Sequence, residues 1–165
     1  MTASQKLPEP EQEPVDGTER ALKGYLLTTD PARVDLDQVH AWLSQESYWA
    51  MGRERALVEQ SVAGSRPYSV YSRERQVAFA RVVTDGATFA WICDVFVEEQ
   101  HRGQGLGSWL MESIVADLRD IGVLRFVLAT KDAQKVYERC GFAALAGADR
   151  WMEIDERPTR AACQS

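Results

Sequence analysis

Three glycines at alternate positions join a strand-like run to an amphipathic helix near the middle of the chain. The segment Gln100–Gly107 reads QHRGQGLG, with glycines at positions 103, 105 and 107. Glycine allows positive φ and a close approach of the backbone to a ligand, so that successive N–H groups can point at an anion beside the positive end of a helix dipole. The segment therefore predicts a phosphate-binding loop at a strand-to-helix junction.

The sequence on either side of the glycines predicts a strand before the loop, and a helix and a second strand after it. Aromatic and β-branched residues in Trp91–Val97 are typical of a strand. Apolar residues recur at helical spacing through Leu106–Ile121, and Gly122 ends that pattern. The segment Leu124–Ala129 then favours another strand.

The glycine spacing does not match a nucleotide cofactor fold. G-x-G-x-G differs from the G-x-G-x-x-G of dinucleotide-binding proteins, and the chain has no G-x-x-x-x-G-K-[ST]. A dinucleotide fold also needs an acidic residue about 20 residues after the glycines. Asp117 and Asp120 lie within the predicted helix instead. An NAD-dependent oxidoreductase is therefore disfavoured.

Two motifs give the chain a family resemblance. It resembles the GNAT superfamily of acyl-CoA N-acyltransferases, whose signature Gln/Arg-x-x-Gly-x-Gly/Ala falls on Gln100, Gly103 and Gly105, with the frequent arginine at Arg102. The resemblance extends from about residue 25 to residue 154, and its diagnostic part is residues 91–142.

The second motif follows the first at the separation that the family has. The pattern Ala-x-x-x-Tyr-x-x-x-Gly-Phe falls on Ala133, Tyr137, Gly141 and Phe142. One departure is visible, because Thr130 stands where many family members have Asn.

The resemblance implies an α/β (α+β) fold and acetyl-CoA as the co-substrate. The expected architecture is a mixed, mostly antiparallel sheet, splayed at the cofactor site and flanked by about four helices, in the order βααβββαβαββ. The expected cofactor-binding residues are Val95, Phe96, Val97, Gln100, Arg102, Gly103, Gln104, Gly105, Leu106, Gly107, Ser108 and Thr130.

Turn and capping residues locate the remaining elements. Asp35 is a good N-cap for the first helix. Asp85 and Gly86 predict a hairpin turn. The other predicted elements are strands at Gly24–Thr28, Tyr68–Tyr71 and Gln76–Val83, a helix at Arg53–Ala63, and a closing hairpin of Phe142–Leu145 and Trp151–Ile154.

Two side chains are candidates for the chemistry of acyl transfer. Tyr137 resembles the general acid of the family, and a phenol of pKa ~10 is protonated at neutral pH, so that it can donate to the departing thiolate. Asp94 lies in mid-strand, where an unpaired carboxylate would be unfavourable. It either holds or deprotonates the substrate ammonium, or it pairs with Arg81 or Arg125 inside the fold.

The acceptor is expected to bind beside the segment between the two early helices. In the fold that the resemblance implies, this linker borders the acceptor cleft. Tyr48 and Trp49 can stack on a ring or cover a cationic amine, and Arg53 can bind a carboxylate or phosphate. Ordinary packing of the two aromatic residues is the alternative.

Composition narrows the class of protein. The net charge of −6 over 165 residues argues against nucleic-acid binding. We expect an acidic, proline-containing and disordered tail at residues 1–20, one acetyltransferase domain at 21–155 and a polar tail at 156–165. The first tail is too polar for a signal peptide or membrane span, so we expect a cytoplasmic protein, either monomer or homodimer, without a membrane partner.

The cysteines and histidines suggest neither a metal site nor a nucleophile. Cys93, Cys140 and Cys163 have no metal-ligand spacing, and a cysteine nucleophile would need His40 or His101 as its base. We therefore expect no metal and no disulfide.

The predicted reaction is direct attack of a small-molecule primary amine on acetyl-CoA in a ternary complex, and the alternative is a non-catalytic acetyl-CoA-binding regulatory module.

Overall fold

One six-stranded sheet runs through the computed structural model, which describes residues 19–157. Strands β1 to β5 are antiparallel neighbours, and β6 pairs with β5 in parallel. The strands are β1 Glu19–Leu22, β2 Tyr25–Thr28, β3 Arg66–Ser72, β4 Arg75–Thr84, β5 Ala90–Val97 and β6 Phe126–Leu128. The helices are α1 Leu36–Ala41, α2 Arg55–Ala63, α3 Leu106–Asp120 and α4 Gln134–Arg139. The predicted α+β fold with a mostly antiparallel sheet is confirmed.

The sheet opens at the carboxyl half of β5. Ala90–Ile92 pairs with Phe126–Leu128 of β6, and the remaining residues of β5 pair with no described strand on that side. The register of β4 and β5 shifts between Phe79 and Arg81, which makes a β-bulge around Asp94. Asp94 has a φ of 51°, a left-handed conformation that is uncommon outside glycine. The bulge therefore changes the direction of β5 at the point where its open edge begins.

Helices cover both faces of the sheet. The apolar face of α3, which includes Leu110 and Ile114, packs against one face of the sheet. Val82 of β4 belongs to the same hydrophobic cluster. On the other face α1 and α2 bury Trp42 and Val58, and the Trp42 ring stacks on Phe96 with ring centroids 5.1 Å apart. Because helices pack on both sides of β4 and β5, these strands hold the open edge of β5 in a fixed position.

The ends of the helices follow the predicted capping chemistry. The Asp35 carboxylate accepts a hydrogen bond from the Gln38 backbone N–H at 3.0 Å, which confirms the predicted N-cap of α1. Gly105 is the N-cap of α3 with a φ of 82°. Helix α1 continues into a π-helical turn at Trp42–Glu46, the kind of irregularity that often occurs at functional sites.

The predicted closing hairpin is wrong for the described residues. Phe142–Leu145 and Trp151–Ile154 form no strand, and a short 3₁₀ turn at Ala148–Arg150 separates them. Met152 and Ile154 are more than nine-tenths exposed. Alternating apolar residues stabilise a strand only when one face is buried, and here nothing in the described part covers it.

The predicted chain ends are only partly described. Glu19 and Arg20, which we assigned to the tail, instead begin β1 and pair with Thr28 and Leu27 of β2. Residues 1–18 and 158–165, which include Cys163, lie outside the described residues. Within residues 19–157, no helix has the length and apolar character needed to cross a membrane.

Candidate active site

A cleft of about 590 Å³ occupies the opening between β5 and the loop that follows β6. Ten predicted site residues line it. They are Tyr48, Trp49, Arg53, Asp94, Val95, Phe96, Val97, Arg102, Thr130 and Tyr137. The structure therefore brings the expected acid, the open strand edge and the expected acceptor residues to one cavity.

The other seven predicted residues form the glycine loop and the start of α3. Gly103 and Gly105 have φ values of 72° and 82°, and a Cβ built on either would meet no atom within 4 Å. Glycine is required there by backbone conformation, since space is open on that side. The first N–H groups of α3 have no partner inside the helix, so they are available to an anion.

Hydrogen bonds attach the loop to β5. Arg102 donates from Nε to the carbonyl oxygen of Val97 at 2.7 Å, and its guanidinium lies 5.4 Å from the Phe96 ring centroid. Gln104 donates to the carbonyl oxygen of Gln100 at 3.1 Å. Leu106 is buried in the core, so only its backbone can reach a ligand.

Two strands and the early helices place three donors around the Asp94 carboxylate. Its Oδ2 accepts hydrogen bonds from Arg53 Nη1 at 2.7 Å and from Arg81 Nε at 2.6 Å. Its Oδ1 accepts from Trp49 Nε1 at 3.2 Å. The Asp94 side chain is 2% exposed. Arg125, the other predicted partner, lies over the ring of Trp151 instead.

The ion pairs decide the protonation state of Asp94. Burial raises the pKa of this carboxyl group, but the charge of Arg81 and the hydrogen bond and charge of Arg53 outweigh burial and hold the pKa below its ordinary value. A carboxylate of lowered pKa is a weak base. The geometry thus favours the ion-pair interpretation of Asp94 over the proton-acceptor interpretation.

Tyr137, on α4, lines the same cleft. The ring packs edge-on against Phe142, with centroids 6.2 Å apart. Burial, with smaller contributions from the nearby Tyr48, Asp132 and Cys140, raises the pKa of Tyr137 above its ordinary value. No described residue shares a hydrogen bond with the hydroxyl. The phenol is therefore protonated and available as a donor.

Tyr48 and Thr130, which both line the cleft, form hydrogen bonds with the segment that follows β6. The Tyr48 hydroxyl accepts a hydrogen bond from the Lys131 backbone N–H at 3.4 Å, and the Lys131 ammonium lies 5.8 Å from the Tyr48 ring centroid. Thr130 accepts from the Ala133 N–H at 3.1 Å and so supports the start of α4. The Thr130 hydroxyl is therefore engaged by the protein itself.

Sequence reasoning missed four charged residues that line the cleft, which are Glu46, Arg81, Asp132 and Arg157. Arg81 was considered only as an ion-pair partner of Asp94. It is a charged residue within the apolar run of β4, and a charge in such a run indicates a functional site. Glu46 and Asp132 carry no such signal, because both occur among polar neighbours.

The cysteines of the described chain are poor nucleophiles. Burial raises the pKa of Cys93 to about 11, and burial also raises the pKa of Cys140. A thiol with a raised pKa is protonated at neutral pH and unreactive. Residues 19–157 contain no group of three or more His, Cys, Asp or Glu placed to hold a metal ion, and the absence of a metal from the reaction stays a prediction.

Known proteins share this sequence and architecture. A family model described as an acetyltransferase (GNAT) domain matches residues 63–144. The chain is 32% identical over 139 residues to serotonin N-acetyltransferase 2, chloroplastic, of Oryza sativa subsp. japonica, covering 82% of this chain and 70% of the relative. It is 28% identical over 107 residues to GCN5-related N-acetyltransferase 1, chloroplastic, of Arabidopsis thaliana, covering 64% and 54%.

A solved structure supports the same assignment over almost its whole length. A GNAT-family protein from Xanthomonas campestris pv. campestris is 38% identical, with a TM-score of 0.77, and the match covers 82% of this chain and 95% of that one. The glycine loop at the start of α3, the splayed sheet and these similarities agree, and the chain belongs to the GNAT superfamily of N-acetyltransferases.

Proposed function

We propose that this enzyme transfers the acetyl group of acetyl-CoA to a primary amine of a small-molecule acceptor, by direct attack in a ternary complex. The observation that carries the proposal is one cleft lined both by the open strand edge Val95–Val97 with Arg102, which leads into the glycine loop, and by the aromatic and arginine side chains of Tyr48, Trp49 and Arg53. Such a cleft can hold both reactants at once.

The residues at the cofactor end fit a coenzyme with a pyrophosphate and an amide-containing arm. The pyrophosphate can bind to the N–H groups at the start of α3. It can also bind to the guanidinium nitrogens of Arg102 that do not donate to the Val97 carbonyl oxygen. The open edge of Val95–Val97 suits the amides of the arm, which would add to β5 as a strand does. An N–H of this edge would also stabilise negative charge that develops on the thioester oxygen.

Tyr137 is the proposed general acid. Acetyl-CoA supplies the thioester whose C–S bond breaks as the acceptor nitrogen bonds to the carbonyl carbon. The Tyr137 hydroxyl would give its proton to the departing sulfur, and the raised pKa keeps that proton in place until it is needed. The extra proton of the acceptor nitrogen would pass to water, and water would return a proton to the Tyr137 phenolate before the next turnover.

Asp94 is proposed to orient the acceptor end of the cleft. Its carboxylate holds Arg53, Arg81 and the Trp49 indole in fixed positions. Direct removal of a proton from the ammonium by Asp94 is the competing role, and the pH dependence of an Asp94 variant separates the two.

The acceptor end suits an amine with a ring. Tyr48 is 47% exposed, and its ring meets Trp49 edge-on at 5.0 Å between centroids, so the pair forms a wall at the mouth of the cleft. The rice relative is named for serotonin, an aromatic amine. Aromatic amines are therefore the first acceptors to test.

The decisive experiment combines cofactor binding with turnover. Purified protein is titrated with acetyl-CoA by calorimetry, and a panel of aromatic and aliphatic amines is then assayed for release of free thiol from acetyl-CoA. We expect binding and amine-dependent thiol release. Binding without turnover of any amine would favour the alternative, a regulatory acetyl-CoA-binding module, and absence of binding would overturn both. A cytoplasmic location stays a prediction.

A further inference from the structure

We propose that the arginine pair beside Asp94 binds a carboxylate of the acceptor, which makes the substrate an amine that also carries a carboxylate, as an α-amino acid does. The proposal rests on the function proposed above. It concerns Arg53, Arg81 and Asp94, which we call the arginine cluster. It specifies the chemical class of the acceptor, which the similarity to known acetyltransferases leaves open.

The arginine cluster has an excess of positive charge in a nearly buried position. Two guanidinium groups share one carboxylate, so one positive charge is left without a counter-charge inside the cluster. The Arg53 and Arg81 side chains are 20% and 14% exposed, and that of Asp94 is 2% exposed. Burial of an uncompensated charge is unfavourable, so an anionic ligand would be strongly stabilised there.

The cluster also has hydrogen-bond donors to spare. Each arginine reaches the same Asp94 oxygen through one nitrogen, Nη1 of Arg53 and Nε of Arg81. Neither guanidinium donates to any other described residue through its remaining nitrogens. No buried side-chain nitrogen or oxygen of the described residues lacks a hydrogen bond, so the remaining nitrogens are accessible to solvent. Both arginines line the cleft, which places that accessible space within it.

The charge and location of the cluster favour a carboxylate. One carboxylate neutralises the single excess charge, whereas a phosphate of charge near −2 would leave the cluster negative. A planar carboxylate also matches the planar guanidinium fork. The cofactor phosphates have their own donors at the start of α3, where Arg102 is bound to the Val97 carbonyl. The cluster is therefore left for the acceptor.

Glu46 supplies the opposite charge at the same end of the cleft. It ends the π-helical turn that leads to Tyr48 and Trp49, and it lines the cavity as an exposed residue. Its carboxylate forms no hydrogen bond or ion pair with any residue among 19–157. A zwitterionic amine would thus find a partner for each of its charges, the arginine cluster for its carboxylate and Glu46 for its ammonium.

Amine pairs that differ by one carboxylate test the proposal directly. Tryptophan and tryptamine form one such pair, and tyrosine and tyramine form another. We expect kcat/KM of the wild-type enzyme to be at least ~10-fold higher for the amino acid of each pair, because a hydrogen-bonded charge pair contributes about that factor. Equal rates, or faster turnover of the decarboxylated amines, would overturn the proposal without any variant being made.

Substitution locates the preference. Arg53→Gln removes one guanidinium, and we expect the ratio of kcat/KM between amino acid and amine to fall close to one. Arg157→Gln is the matched control, because Arg157 lines the same cleft with a side chain that is 79% exposed, and the ratio should not change. Loss of the preference in both variants, or in neither, would contradict the assignment to the cluster.

A binding measurement separates this proposal from the proposed function. If no amine releases thiol, the acetyltransfer proposal fails, and the anion site is then tested by calorimetry with N-acetyltryptophan and N-acetyltryptamine in the presence of coenzyme A. Tighter binding of the carboxylate-bearing compound supports the arginine cluster as its site. Equal affinities would overturn it.

Discussion

Arg66 on β3 and Asp117 on α3 form a two-pronged ion pair between sheet and helix, with Arg66 Nε 2.8 Å from Oδ2 and Nη2 3.1 Å from Oδ1. The Tyr68 hydroxyl donates to the same carboxylate. Asp117 is 4% exposed, so its charge depends on these donors. The group fixes α3, and therefore the glycine loop at its start, against the sheet.

Removing the Asp117 charge should destabilise the protein strongly. Asp117→Asn takes the Asp117 charge away from the nearly buried Arg66 guanidinium, and the loss of one charge of a buried pair typically costs about 3–5 kcal/mol. Urea unfolding measures the change. Asp120→Asn is the control, because Asp120 is 76% exposed at 3.6 Å from Arg20. An exposed pair contributes at most ~1 kcal/mol, so similar losses in the two variants would contradict the structural role of Asp117.

The Asp94 ion pairs predict a specific pH dependence of stability. The folded pKa of this carboxyl lies below its ordinary value, so the pairing contributes fully above the unfolded pKa of about 3.9. That contribution is lost as the pH falls through the lower, folded pKa. Asp94→Asn should therefore be less stable than the wild type at neutral pH, and the difference should shrink below about pH 4. Unfolding curves across this range check it.

The same variant separates the two roles of Asp94 in turnover. If Asp94 orients Arg53 and Trp49, Asp94→Asn lowers kcat/KM by a similar factor at every pH at which the folded protein is active. If Asp94 is the base, the loss is largest at low pH, where the acceptor amine depends most on help to lose its proton. A pH–rate profile of both proteins distinguishes these outcomes.

A charge in the glycine loop should abolish cofactor binding without unfolding the protein. Gly105→Glu adds a carboxylate where the loop N–H groups would meet the pyrophosphate. Gly86→Glu is a matched control, because Gly86 also has a positive φ, 74°, and open space around an added Cβ, but it lies in the turn between β4 and β5. Both substitutions carry the same backbone strain.

The two glycine variants should differ in calorimetry with acetyl-CoA. We expect comparable thermal stability, with affinity lost in Gly105→Glu and retained in Gly86→Glu. Normal affinity in Gly105→Glu would remove the glycine loop from the cofactor site.

The sequence predicted the elements whose local signals agree with their packing. The periodicity of α3 matches the buried face formed by Leu110 and Ile114, and the Asp35 cap lies where predicted. The strand content of β3 to β5 was clear because β-branched and aromatic residues are buried on both faces of β3 and β4 and at alternate positions of β5. In these elements the local sequence preference and the tertiary packing favour the same structure, so the elements can be predicted from one sequence.

The parts that failed depend on partners distant in sequence. Trp151–Ile154 has the composition of a strand, but strand formation needs a neighbour, and the described chain supplies none. The Asp94 pairing with Arg53 joins residues 41 positions apart across two elements, which no local pattern reveals. The bulge that brings them together is likewise a property of the paired strands.

Tyr137→Phe should lower kcat by about 10²–10⁴ while leaving acetyl-CoA affinity nearly normal, because loss of a general acid has that effect on rate and the ring is preserved. Tyr137 lines the cleft and its hydroxyl bonds to no described residue, so the loss of that hydroxyl should not weaken the fold. The raised pKa of Tyr137 also predicts that wild-type kcat shows no alkaline loss up to the ordinary tyrosine pKa of about 10, since the group must be protonated to act.

Tyr71→Phe provides the reciprocal control for this experiment. The Tyr71 hydroxyl donates to the Arg33 carbonyl oxygen on the strand β3 side of the sheet and does not line the cleft. Its removal should cost about 1 kcal/mol in stability and leave kcat unchanged. Thiol release is measured with any acceptor that turns over, together with urea unfolding of both variants. Full activity in Tyr137→Phe would exclude this phenol from the chemistry and make water the proton donor to the departing thiolate.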